Sequence, residues 1–135
     1  MTHPSIEPTE AQFTRLAGSA DDGPVMMVNL LRFKDRADGV DAADGISGAE
    51  AYARYGSAVR EHLGRVGGRL VLAGAATESV IGPEEGEWDA VLVAEYPSRK
   101  AFLEMTGDPA YLEVHRHRAA ALADSRLIAC TPLFQ

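Results

Sequence analysis

Two histidines, His62 and His115, a carboxylate at Glu95 and an amide at Asn29 are the side chains of this sequence best suited to act on a small molecule. Histidine titrates near neutrality and suits general acid–base work. A carboxylate pushed up by burial can serve as a base, and an amide can hold a substrate oxygen. Tyr55 and Tyr111, with Tyr52, could reach the same space with their hydroxyls, and Trp88 could stack on a ring. The candidate catalytic residues are therefore His115, His62 and Glu95, and the candidate substrate-binding residues are Asn29, Tyr55, Trp88 and Tyr111. Each also has a plainer reading. A histidine on a packed face is usually a satisfied core residue, and a tyrosine at helical spacing is usually core. Glu95 could pair with Arg32 or Arg69, Arg32 could make a structural or interface salt bridge, and Trp88 could fill a rim. Asn29 must be satisfied structurally or line a wet cavity, because an unpartnered buried amide costs about 1–3 kcal/mol.

Other chemistries are disfavoured. In "HRHR" at 115–118, residues two apart on a helix point about 200° from each other, so His115 and His117 cannot share one metal ion. Arg116, His117 and Arg118 read as solvated or paired with acidic surface groups. There is no G-x-S-x-G and no glycine-rich phosphate loop after a strand. No metal and no cofactor is expected. Cys130 is the single cysteine and reads as a small buried hydrophobe in a reducing, cytoplasmic setting. A net charge of -7 with scattered basic residues disfavours nucleic acid and anionic membrane surfaces. The opening "MTHPSIEPTE" has no basic-then-apolar segment, so no secretory signal is expected, and no apolar run is long enough to span a membrane.

The elements that must position these groups are legible. "EPTEAQFTRLAG" reads as a short helix with Thr9 and Gln12 as a capping box and Gly18 as its stop. Val25–Phe33, inside "VMMVNLLRFK", is a strand. The Asp- and Gly-rich stretch over 34–47 is long for a connection, as expected of a lid or surface loop. Ser47 and Glu50 cap a helix over about 48–66, along which Tyr52, Tyr55, Val59, Leu63 and Val66 recur at helical spacing. "RLVLAGAATESVI" and "WDAVLVAEY" are the second and third strands. "SRKAFLEMTG" is a short helix, and Asp108 and Pro109 open another that runs to about Ala123. "RLIACTPLF" closes the chain as the last strand. One domain over 1–135 is expected, with residues 1–23 a helical extension and 24–133 the core.

Without the extension the order is strand, helix, strand, strand, helix, strand. That is the α+β, ferredoxin-like βαββαβ pattern: a four-stranded antiparallel sheet, order 4-1-3-2, with the helices on one face. The opposite face has no helix to cover it, although the central strands are apolar on both sides. An uncovered apolar face of several hundred Å² is normally an interface, so a homodimer burying sheet against sheet is expected.

"VNLLRFK", "AYARYGSAVREHLGRVGGRLVLAG", "WDAVLVAEYPSRKAFLEMTGDPAYLEVHRHRAAA" and "LIACTPL" together resemble the domain-of-unknown-function 1330 family over about residues 24–133. The resemblance implies a dimeric α+β barrel and names no general reaction. The N-terminal helix and the acidic loop depart from the family's shorter pattern. By analogy with other α+β barrels, the resemblance implies a small-molecule-binding protein that could act without a cofactor on a small apolar or aromatic substrate. His115 or His62 would move a proton there and Asn29 would hold an oxygen. Some such barrels degrade haem with an Asn, a Trp and a His; Asn29, Trp88 and His115 do not reproduce that spacing. The alternative is a structural or regulatory dimer with no ligand pocket, in which the polar residues satisfy one another.

Overall fold

The computed structural model describes residues 3–134. Helix α1 spans Glu10–Ala17, and the Thr9/Gln12 capping box forms with both of its hydrogen bonds. Strand β1 is Val25–Phe33. Helix α2, Gly48–Arg65, starts at the Ser47/Glu50 capping box. Strands β2 and β3 are Arg69–Ala75 and Ala90–Tyr96. Helices α3 and α4 are Arg99–Thr106 and Pro109–Ala121, capped by the Ser98 hydroxyl and the Asp108 carboxylate. Strand β4 is Leu122–Cys130.

The sheet order is β2-β3-β1-β4, all pairs antiparallel. This is the ferredoxin-like architecture expected from the pattern. Alternation along β1 settles which face meets the helices. Val25, Met27 and Leu31 are buried, and they share one core with Ala51, Tyr52 and Tyr55 of α2 and Tyr111 and Ala121 of α4. Met26, Val28 and Leu30 point to the other face, where Val93 and Ile128 pair on either side of Val28. Leu72 and Ile128 on that face are about half exposed, at 52% and 48%.

Several boundaries move. β4 begins at Leu122 instead of Arg126, because α4 passes into it without a loop and Leu122 pairs with Phe33 at a bulge. It ends at Cys130, so "TPLF" lies outside the sheet. β2 stops at Ala75, and Val80 and Ile81, expected to extend it, are 88% and 96% exposed in the connection to β3. β3 begins at Ala90, leaving Trp88 before it. The 34–47 stretch is an ordered connection. It contains a 3-10 turn over Gly39–Asp44 and is stitched to the start of α2 and the end of α4 by Gly48 N–H to Lys34 O at 2.9 Å, Lys34 N–H to Ala121 O at 2.8 Å and Asp38 N–H to Ala120 O at 3.1 Å. Among the described residues no helix is long and apolar enough to cross a membrane.

Candidate functional site

Helix α4 places Tyr111, His115 and Arg118 on one stripe, four and then three residues apart, facing the Tyr52 and Tyr55 stripe of α2. The Tyr55 and Tyr111 hydroxyls are 2.9 Å apart. The Tyr111 hydroxyl is 3.4 Å from His115 Nδ1, and His115 Nε2 is 2.6 Å from the Glu7 carboxylate. Glu7 only accepts, so it holds the imidazole with its proton on Nε2. Nδ1 then accepts from Tyr111, and Tyr111 accepts from Tyr55. The result is one continuous chain of hydrogen bonds from the buried Tyr55 to the exposed Glu7.

Burial pushes all four tyrosines above the ordinary phenol range: Tyr52 to about 12, Tyr55 well above it, and Tyr96 and Tyr111 upward as well. At neutral pH they are hydroxyls, which can pass a proton on but do not act as standing bases.

The helix–sheet layer opens at the β2 edge. A cleft of about 560 Å³ lies between α2 and β2–β3, with Leu63, Leu70, Leu92 and Val59 as its apolar lining and Tyr52 and Tyr55 on its α2 wall. Arg60 and Arg69 stand among its polar lining residues.

The candidate residues distribute as follows. Tyr55, Tyr111 and His115 are joined directly. His62 is buried with its ring edge-on to Tyr111 at 6.2 Å, and its nearest carboxylate oxygen, on Glu61, is 4.0 Å away, beyond a hydrogen bond. Asn29 is on the helix-facing side, paired with Leu92 and Leu127, and its amide makes one long bond of 3.4 Å to the Met27 carbonyl. Glu95 is on the open face, paired with Met26 across the sheet and with the Arg69 guanidinium at 2.9 Å. Strand alternation separates it from the histidines, so it does not share their cavity. Trp88 lies between the Arg32 and Arg126 guanidinium groups, 5.6 and 5.2 Å from its ring centre, and Arg32 donates to the Glu87 carbonyl at 2.9 Å. It stacks on protein cations at the end of the open face, away from the cleft. None of Asn29, His62, Glu95 and His115 lines the cleft itself; His115 reaches it through the two tyrosines.

Three polar residues escaped the sequence reading. Arg118, expected at the surface, is 7% exposed and donates to the Ile6 carbonyl at 3.0 Å. Its place on the Tyr111–His115 stripe was the signal. Asp41, 1% exposed, accepts from Arg54 at 2.9 Å and bonds His117 Nδ1 at 2.9 Å. Glu7 precedes the first helix and nothing local marks it.

The family described as a domain of unknown function, DUF1330, matches residues 42–130. The chain belongs to the DUF1330 family. This DUF1330 protein is similar to a protein of unknown function from Rhodopseudomonas palustris, at 42% identity and a TM-score of 0.89, covering 99% of this chain and 100% of that one. A dimeric protein of unknown function with a ferredoxin-like fold from Bacteroides fragilis shares the fold at 11% identity and a TM-score of 0.54, over 80% of this chain and 95% of that one. So does SnoaB, a cofactor-independent oxygenase from Streptomyces nogalater, at 18% identity and a TM-score of 0.50, over 85% and 97%. The last two likenesses show the fold alone. No curated protein matches the chain.

Proposed function

We propose that this DUF1330 protein is a homodimer, closed through the open sheet face, that binds a small apolar or aromatic molecule in the cleft between α2 and β2–β3 and moves a proton to or from it without a cofactor. The observation that carries the reading is the contact between cleft and hydrogen-bond chain at Tyr55. An acidic proton of the bound molecule would pass to the Tyr55 oxygen as the Tyr55 proton moves to Tyr111 and the Tyr111 proton to His115 Nδ1. The imidazolium so formed is paired with Glu7 at 2.6 Å. The substrate leaves this step as its conjugate base, which the reverse transfer can reprotonate at another atom, giving an isomerisation with no net redox change. Asn29 pairs with Leu92 of the cleft but does not line it, and has no part in this transfer. The fold shared with a cofactor-independent oxygenase and with a dimeric protein supports the class and the assembly.

Thermal-shift screening of the full chain against small aromatic acids, ketones and quinols tests the reading. A ligand at about 100 times its Kd stabilises the native state by about 2.7 kcal/mol. Hits are then followed for deuterium uptake from heavy water. Tyr55→Phe cuts the chain of hydroxyls, so uptake falls by about 100-fold while binding persists. If no compound raises the melting temperature, the binding reading fails. A second reading is a structural dimer module without a ligand, favoured by the Glu95–Arg69 and Asp41–Arg54 pairs, which satisfy polar groups internally. Under it, His115→Ala alters stability alone.

A further inference from the structure

Arg118 is a buried cation without a carboxylate. It is 7% exposed. Among the described residues it takes part in no ion pair. What faces it is the Ile6 carbonyl, 3.0 Å from Nη1. A neutral carbonyl compensates a buried guanidinium only in part, so a negatively charged acceptor is favoured there.

That carbonyl belongs to a strap, residues 5–7, that crosses α4 and β4. The Ser5 N–H donates to the Asp124 carboxylate at 2.8 Å, and the Ser125 hydroxyl donates to the Ser5 carbonyl at 2.6 Å. Glu7 holds His115 at 2.6 Å. Ser5 and Glu7 are exposed, and Ile6 alone packs partly against the core. The strap is thus held mainly by polar bonds, whose oxygens a ligand can replace. A carboxylate bonds a guanidinium about twice as strongly as a neutral carbonyl does, because the acceptor is charged and can take two parallel N–H bonds.

We infer that Arg118 and His115 form an anion site that the N-terminal strap fills in the free protein, and that an aromatic or aliphatic monocarboxylate displaces it. The carboxylate sits on the Arg118 guanidinium. The apolar body runs from α4 toward Tyr52, which belongs to the facing α2 stripe and lines the cleft. The path of the body rests on the binding reading above; the requirement for negative charge does not. One guanidinium favours a single charge, and Glu7 repels a second anion beside its own carboxylate, so ligand binding and strap docking oppose each other. The opposition is reciprocal: whatever weakens the strap tightens the ligand.

The test uses the full chain with benzoate and its neutral counterpart benzamide as probes, measured by calorimetry. Benzoate binds about 10-fold or more tightly than benzamide. Glu7→Gln, at an exposed position, removes the competing charge and tightens benzoate several-fold, while Arg118→Gln erases the preference for benzoate. A Glu-specific protease, which does not cut the Glu7–Pro8 bond, cuts the free protein slowly after Glu10, and several-fold faster with benzoate bound. Equal affinity for both probes overturns the anion site and leaves binding in the cleft standing. Binding of neither overturns both. Tighter benzoate binding with unchanged cleavage overturns displacement of the strap.

Discussion

Asp41 is the most deeply buried charged side chain among the described residues, at 1% exposure. Its carboxylate gathers Arg54 from α2 and His117 from α4, and so pins the 34–47 connection to both helices. Arg54 and His117 are partly exposed and can be rehydrated when the carboxylate goes, so the loss is that of charge-assisted bonds and not of a sealed ion pair. Asp41→Ala therefore lowers the unfolding free energy by about 2 kcal/mol, read as a shift in the urea midpoint. Asp41→Asn, which keeps one acceptor, loses less. A midpoint unchanged by Asp41→Ala would show that the connection is held by its backbone bonds alone. The sequence shows why some of these side chains were legible and others were not. Tyr55, Tyr111 and His115 lie on helical stripes, and a stripe points to its partner stripe whatever the tertiary detail. Arg118 lies on the same stripe, but its charge argued for the surface, and that argument overrode the spacing. Asp41 is one of several aspartates in a stretch without period, and only contacts with residues far along the chain single it out.

At the scale of elements, caps and glycines decide more than propensity does. The Thr9/Gln12 and Ser47/Glu50 boxes mark helix starts because both halves of each bond are local in sequence. The start of β4 was hidden because α4 enters it directly, with no glycine or proline to mark the change. The limits of β2 and β3 depend on how far the two strands stay paired, which is a property of the pair. Two glycines of α2 offer a sharp contrast. A Cβ on Gly48 would stand 2.6 Å from the Ala121 carbonyl oxygen and closer still to that of Lys34, both fixed backbone atoms. Gly56 has open space around the same position. Gly48→Ala therefore destabilises by about 3 kcal/mol, since the connection and the end of α4 must both move. Gly56→Ala stabilises by about 0.5–1 kcal/mol through lost freedom in the unfolded chain. Denaturant midpoints of the pair check this, and equal shifts would refute the close approach at Gly48.

For the whole molecule, two properties follow from how its apolar surface is divided. On the helix side, the protein's four tyrosines are all buried, and burial raises each above its ordinary value near 10. The unfolded chain loses those protons first, so their contribution to stability is intact below about pH 10 and falls as pH rises toward 12 and beyond. Each tyrosine contributes up to about 1.4 kcal/mol per pH unit to that fall. Phenolate absorbance should therefore rise in one step together with loss of helical circular dichroism; tyrosines that titrate near pH 10 in a folded chain would contradict the burial. On the other side, Val28 sits at the centre of the open face between Val93 and Ile128, both apolar, with Leu72 and Ile128 about half exposed. A second copy placing the same surface against it would remove that area from water, at about 25 cal/mol per Å². Under that assembly each Val28 lies near the partner's apolar face, and Val28→Arg would bury a guanidinium whose same-face neighbour on β3, Glu95, is already paired with Arg69 at 2.9 Å. In a monomer the same substitution places an arginine at a solvent-facing strand position and leaves the fold almost untouched. Sedimentation at micromolar concentration should give a dimer for the natural chain and a folded monomer for Val28→Arg. A natural chain that sediments as a monomer would show that this face is wetted, and the cleft reading would then have to stand on a single subunit.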